Sequence, residues 1–88
     1  MAKVRIEFFG MARRYAGLES MELEANTTGE VLRLLVAACP KLNGTCIRDG
    51  ELAAGWLLNL DGRQFTRSLH EPLSAGTSVL LMSNDVGG

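Results

Sequence analysis

Residues 27–40, TTGEVLRLLVAACP, form the stretch that decides the fold of this chain. Thr27 followed three residues later by Glu30 matches a capping box, in which two side chains bond the free backbone amides at the start of a helix. Apolar residues then recur at helical spacing and predict one buried stripe. The stripe consists of Val31, Leu34, Leu35 and Ala38. Pro40 ends the helix because it cannot donate a backbone hydrogen bond.

Short segments on both sides of this helix have the patterns of strands. Residues 3–8 and 19–24 alternate polar and apolar side chains, which predicts an antiparallel pair with one buried face. Residues 56–60 are apolar except for Asn59 and run into an Asp61-Gly62 turn, and residues 77–82 predict the last strand. A single helix among these strands predicts an α+β protein, with a mixed sheet of four to five strands and the helix packed across it.

Composition narrows the class of protein. The chain has 88 residues, of which 47% are hydrophobic and 22% charged, so we expect one globular domain rather than a disordered chain. The net charge of −1 argues against a nucleic-acid binder. No apolar run reaches the roughly 18 residues of a membrane helix, and the first residues do not resemble a signal peptide. We therefore expect a cytoplasmic protein without a membrane partner.

Residues 41–55 have no clear period and predict an irregular crossover, with a helical turn near residues 50–54. Cys39 and Cys46 flank six residues, a spacing that matches no usual zinc or redox pair. His70 is the only histidine and is expected to lie exposed in a loop. These residues predict no metal site and carry no evident catalytic role.

The candidate functional segment is the tail SNDVGG, residues 83–88, which follows the expected globular domain of residues 1–82. Gly87 and Gly88 lack a Cβ atom, so their backbone can enter a slot too narrow for other residues. The α-carboxylate of Gly88 is ionised at neutral pH and could attack the α-phosphate of ATP. Taken alone, a Gly-Gly end is more typical of a small, frayed terminus, so the functional interpretation depends on the rest of the chain. Phe9 falls on the outer face of the first strand and is a candidate contact residue.

Four pieces of the chain, in this order, resemble the small ubiquitin-like sulfur carriers. The pieces are KVRIEFFG at residues 3–10, TGEVL at 28–32, PL at 72–73 with GTSV at 76–79, and the final Gly87-Gly88. These carriers include the molybdopterin synthase small subunit and the sulfur carrier of thiamine biosynthesis. The resemblance covers essentially the whole chain and implies a β-grasp fold.

The resemblance also implies a chemistry at the tail. A partner of the ubiquitin-activating type would adenylate the Gly88 carboxylate with ATP and Mg²⁺, and a persulfide donor would then replace AMP by sulfur. The product would be a thiocarboxylate on Gly88, which a sulfur-accepting synthase would use. On this reading the protein binds no cofactor and is a protein co-substrate or a synthase small subunit rather than a self-sufficient enzyme.

The implied site residues are of two kinds. Gly88 would carry the sulfur and Gly87 would be the slim residue before it. Phe9 and Met82 match outer-face positions that contact partner enzymes in the molybdopterin synthase subunit. Phe65, which follows the Asp61-Gly62 hairpin, is expected to join them without a matched position of its own. The tail residues Asn84, Asp85 and Val86 would help to select the partner.

The tail departs from the molybdopterin synthase pattern, which has a proline before Gly-Gly. Thiamine, sulfur amino acid and other thiolation pathways therefore stay open. Two other functions also stay open at this point. The chain could be a protein modifier conjugated through Gly88, or a ubiquitin-like binding subunit with an inert tail.

Overall fold

A computed structural model describes residues 2–84 of the chain; Met1 and residues 85–88 lie outside the described part. The elements follow one another as β1 (Lys3–Phe8), α1 (Met11–Ala16), β2 (Ser20–Glu24), α2 (Thr28–Ala38), a 3₁₀ turn (Pro40–Leu42), β3 (Ile47–Arg48), β4 (Glu51–Leu52), β5 (Trp56–Leu60), β6 (Gln64–Thr66) and β7 (Ser78–Ser83). Within residues 2–84, no helix is both long and apolar enough to cross a membrane.

Five strands form one mixed sheet in the order β2-β1-β7-β5-β6. β1 and β7 are parallel, whereas the other neighbouring pairs are antiparallel. The predicted α+β class, the five-stranded sheet and its single main helix α2 are therefore confirmed. The parallel contact joins the first and last strands, so the chain leaves the sheet from its central strand β7.

The hydrophobic core lies between α2 and one face of the sheet. Ile6 is opposite Val79 across the β1–β7 ladder, and Leu58 is opposite Leu81 across the β5–β7 ladder. All four side chains are fully buried. Alternation along each strand therefore places the intervening residues on the other face of the sheet, which we call the open face.

The start of α2 agrees with the predicted capping box, with one change of partner. The Thr27 hydroxyl accepts a hydrogen bond from the Glu30 amide at 3.3 Å. The Glu30 carboxylate accepts from the amide of Asn26 at 2.8 Å, one residue before the expected Thr27 amide. The carboxylate still ties the incoming chain to the first turn of the helix.

The buried stripe of α2 differs in part from the predicted one. Val31 and Leu35 are buried as expected, but Leu34 is only partly buried and Ala38 is exposed. The stripe is completed by other residues that lie three or four positions apart on the same helical face. These residues are Thr28, Leu32 and Cys39.

The prediction of a helical turn at residues 50–54 is wrong, because this segment belongs to a small hairpin of β3 and β4. Asp49 and Gly50 form its turn, with φ angles of 54° and 78°. Two successive positive φ values are typical of the type I′ turn that joins tightly paired strands. Each of these strands has only two residues, too few for an alternating pattern to appear in the sequence.

Candidate functional site

The open face of the sheet carries a group of apolar side chains near the end of β7. Leu57 lies directly opposite Met82 in the β5–β7 ladder. Phe65 lies opposite Asn59 on the edge strand β6, one diagonal step from Leu57, and 64% of its surface is exposed. Leu57, Phe65, Met82 and Asn84 line one cavity of about 320 Å³. We call Leu57, Phe65 and Met82 the open-face patch.

Phe9 extends this apolar surface onto the neighbouring strand. Its amide donates to the Leu81 carbonyl at 3.1 Å, which continues the parallel ladder by one residue beyond β1. Because Phe8 pairs with Leu81, the register places Phe9 beside Met82. The Phe9 side chain is 51% exposed, although it does not line the cavity of the patch. An apolar surface of this kind is typical of a site that another protein covers.

The structure thus brings three of the predicted partner-binding residues to one cavity, namely Phe65, Met82 and Asn84, with Phe9 on the adjoining strand. Leu57 was not predicted for the site. Residues 56–60 are almost entirely apolar, so the sequence alone does not separate their buried members from their open-face members. The pairing of Leu57 with Met82 shows that Leu57 lies on the open face.

The chain reaches the tail along the edge of this patch. Ser83, the last residue of β7, pairs with Trp56 at the start of β5. The amide of Asn84 then donates to the carbonyl of Gly55 at 2.8 Å, so the ladder extends one residue beyond the strand. The predicted residues Asp85, Val86, Gly87 and Gly88 lie outside the described residues.

On the helical side of the sheet, two aromatic rings lie close to this exit. The rings of Tyr15 in α1 and Trp56 are 6.5 Å apart between centroids and inclined by 59°. This tilted geometry is a favourable one for an aromatic pair. Both side chains pack against the core, and Trp56 is the residue that pairs with Ser83 at the end of β7.

Among residues 2–84, the cysteine and histidine side chains give no sign of a reactive centre. Cys39 and Cys46 are free, and burial raises the pKa of both thiols, that of Cys46 to about 11. Both thiols therefore stay protonated at neutral pH and are poor nucleophiles. His70 is exposed, as expected. Within residues 2–84, no three or more His, Cys, Asp or Glu side chains are grouped so as to hold a metal ion.

Comparison with known proteins finds likenesses in structure only. No protein-family model matches the chain, and no curated protein matches it in sequence. Among solved structures, small archaeal modifier protein 1 from Haloferax volcanii superposes with a TM-score of 0.84 at 25% identity, over 99% of this chain and 100% of that one. The chain is a ubiquitin-like β-grasp protein. Its structural neighbours are ubiquitin-like sulfur carriers and modifiers.

Two more distant neighbours show the same fold. A putative molybdopterin converting factor subunit 1 from Pyrococcus furiosus has a TM-score of 0.78 at 19% identity, covering 94% of this chain and 98% of that one. CysO, solved in complex with BexX from Amycolatopsis orientalis, has a TM-score of 0.80 at 15% identity, covering 97% and 99%. The β-grasp protein therefore matches whole chains rather than a domain of a larger one, and one neighbour is seen bound to a partner.

Proposed function

We propose that this β-grasp protein is a sulfur carrier whose Gly88 carboxylate is adenylated and then converted to a thiocarboxylate. The observation that carries the proposal is the position of the chain at Asn84. There the central strand leaves the sheet beside the open-face patch, and the sequence Asp85-Val86-Gly87-Gly88 follows. The β-grasp likeness to carriers and modifiers supports the same conclusion.

The distance from the last ladder bond suits a reaction inside a partner's active site. Gly88 lies four residues beyond Asn84. Four extended residues span about 14 Å at roughly 3.5 Å each. The body of the protein would dock through the open-face patch while Gly87 and Gly88, which lack Cβ atoms, enter a narrow channel.

The proposed reaction has two stages, each catalysed by a partner. The Gly88 carboxylate attacks the α-phosphate of ATP and displaces pyrophosphate, which gives an acyl-adenylate with AMP as its leaving group. Mg²⁺ in the partner would offset the phosphate charge. The outer sulfur of a persulfide donor then attacks the acyl carbon and releases AMP. A second thiol of the donor cleaves the sulfur–sulfur bond and leaves the thiocarboxylate on Gly88.

Partner recognition is assigned to the patch and the tail together. Phe65, Met82 and Phe9 would contact the adenylating enzyme and the sulfur-accepting synthase, with Leu57 as an added member. Asn84, Asp85 and Val86 would distinguish between partners. Molybdopterin, thiamine and other metabolites are all possible destinations of the sulfur, and the protein needs no cofactor of its own.

Adenylation is the first step to test, because it needs no sulfur source. Purified protein is incubated with candidate adenylating enzymes from the same genome, Mg²⁺, ATP and labelled pyrophosphate. We expect exchange of label into ATP that depends on the protein and disappears when Gly88 is deleted. Exchange that is unaffected by the deletion, or no exchange with any of the enzymes, would contradict the proposal. The intact mass of the purified protein establishes beforehand that Gly88 carries a free carboxylate.

A modifier that forms an isopeptide bond through Gly88 is the second candidate. It is supported by the likeness to small archaeal modifier protein 1 over the whole chain. The same adenylation would begin both pathways, so the two functions diverge only afterwards. Lysine conjugates that survive denaturation and reduction in cells would favour the modifier, and a thiocarboxylate without conjugates would favour the carrier.

A further inference from the structure

One arginine holds the connection between β4 and β5, residues 53–55, through three backbone carbonyls. Arg67 follows the edge strand β6. Its Nη1 donates to the carbonyl of Ala53 at 3.5 Å and to that of Trp56, and its Nη2 donates to the carbonyl of Leu52 at 3.3 Å. These carbonyls lie within five consecutive residues, so a single guanidinium bridges the two ends of the connection.

Among the described residues, the Arg67 guanidinium bonds only these backbone carbonyls. The ion pairs within residues 2–84 do not include it. The planar fork of a guanidinium can donate to several oxygens at once, whereas an ammonium group acts as a point charge on a flexible stem. A charged donor to a carbonyl also forms a stronger hydrogen bond than a neutral one.

The same connection receives the end of the chain. Gly55 lies between two of the carbonyls that Arg67 holds, and its own carbonyl accepts the Asn84 amide at 2.8 Å. Gly55 has a φ angle of 86°, and an added Cβ would lie 3.7 Å from Oδ1 of Asn84. Glycine adopts this left-handed backbone without strain, so the position of the Gly55 carbonyl depends on the hydrogen bonds on either side of it.

We propose that Arg67 is a positioning residue for the reaction at Gly88, acting through the carbonyl of Gly55 on the exit of the tail. This inference rests on the proposed sulfur-carrier function. With Asn84 anchored, only four residues separate the sheet from Gly88. If the hydrogen bond from the Asn84 amide to the Gly55 carbonyl breaks, Ser83 becomes the last paired residue. The direction in which the chain leaves the sheet is then no longer fixed. The partner must then order a longer segment on binding, which lowers affinity.

The first test measures the stability of the hydrogen bond between the Asn84 amide and the Gly55 carbonyl, and it needs no partner. Arg67→Met keeps the aliphatic stem but removes the donors, and Arg67→Lys keeps the charge. Arg63→Met is the matched control, since that side chain is exposed and has no hydrogen bond or ion pair among residues 2–84. Amide hydrogen exchange followed by NMR should show exchange at Asn84 accelerated about tenfold or more in Arg67→Met, to a lesser degree in Arg67→Lys, and not in Arg63→Met.

The second test measures catalysis by the adenylating enzyme. We expect Arg67→Met to raise the KM for the carrier about tenfold, with kcat within about twofold of the unmodified protein, because the tail reaches the same bound position once docked. Arg67→Lys should restore part of the loss. Asn84→Pro removes the same amide donor, so adding Arg67→Met to it should raise KM little beyond the value for Asn84→Pro alone.

Two outcomes would overturn the inference. One is Asn84 exchange in Arg67→Met equal to that in Arg63→Met. The other is a fall in kcat with KM unchanged. A failure of the proposed function is recognised separately, because the unmodified protein would then give no adenylation although its Asn84 amide is protected.

Discussion

Leu57 and Met82 lie opposite each other on adjacent antiparallel strands, on the open face of the sheet and beside the exit of the chain. Both are only partly buried, in contrast to Leu58 and Leu81, which form the next pair and are fully buried. One step along the ladder thus changes from the buried core to the partly exposed open face.

A negative charge on the open-face patch should weaken partner binding without unfolding the protein. We expect Met82→Glu or Phe65→Glu to raise the KM for the carrier in adenylation by about tenfold or more, because the charge would be buried against an apolar partner. The midpoint of thermal unfolding should change little for the exposed Phe65.

Leu18→Glu is the matched control for this prediction. Leu18 is also an exposed apolar residue, at 41%, but it precedes the opposite edge strand β2. If Leu18→Glu and Phe65→Glu reduce adenylation equally, the open-face patch is not the docking surface.

Gly29→Ala should destabilise the protein, although alanine normally favours a helix. A Cβ at Gly29 would lie 2.8 Å from the carbonyl oxygen of Leu69, which also accepts the Gly29 amide at 2.9 Å. Relief of this overlap would move the segment before β7, and we expect a loss of about 1–3 kcal/mol in the free energy of unfolding. Chemical denaturation measures the loss.

The sign of the change in unfolding free energy distinguishes local crowding, which destabilises Gly29→Ala, from helix propensity, which would stabilise it. Ala37→Gly, at an exposed position of the same helix, should lose about 1 kcal/mol by propensity alone. A stabilised Gly29→Ala variant would show that the approach of Leu69 imposes no constraint.

Stability should fall at alkaline pH through the buried thiol of Cys46. Burial raises its pKa from 9.0 to about 11, so the folded state favours the protonated thiol. This contribution is intact below pH 9 and is lost as the pH rises through the pKa of the folded state. At about 1.4 kcal/mol per pH unit, a shift of this size gives a loss of at most about 3 kcal/mol.

Denaturation curves at successive pH values between 9 and 11 measure this effect. Cys46→Ala should be less stable overall because it leaves a cavity, yet its stability should depend less on pH in this window. Equal slopes for the two proteins would show that Cys46 does not titrate with a raised pKa.

The fold could be predicted because its main signals are local and strong. The capping residues Thr27 and Glu30 locate the helix, and uninterrupted alternation locates β1 and the outward position of Phe9. The neighbouring hairpin of β3 and β4 could not be predicted, because each strand is shorter than one full alternation. Its geometry depends on positive φ at Asp49 and Gly50, which a single sequence only suggests.

The site could be predicted in part. Phe65 and Met82 were expected at the partner surface, and the register of the sheet brings them to one cavity. Leu57 and Arg67 were not expected. Leu57 belongs to an apolar run without alternation, and Arg67 acts on backbone carbonyls, whose positions no pattern of side chains encodes. The roles of Phe65, Met82, Gly87 and Gly88 all remain predictions, and the two glycines lie outside the described residues.

The most direct test of the central claim is the mass of the C-terminal peptide after full activation. The protein is incubated with its adenylating enzyme, ATP, Mg²⁺ and a persulfide donor, then digested and analysed by tandem mass spectrometry. We predict that one oxygen of the Gly88 carboxylate is replaced by sulfur, and that omitting ATP prevents the exchange. An unchanged Gly88 carboxylate, under conditions in which adenylation is complete, would contradict the assignment of this protein as a sulfur carrier.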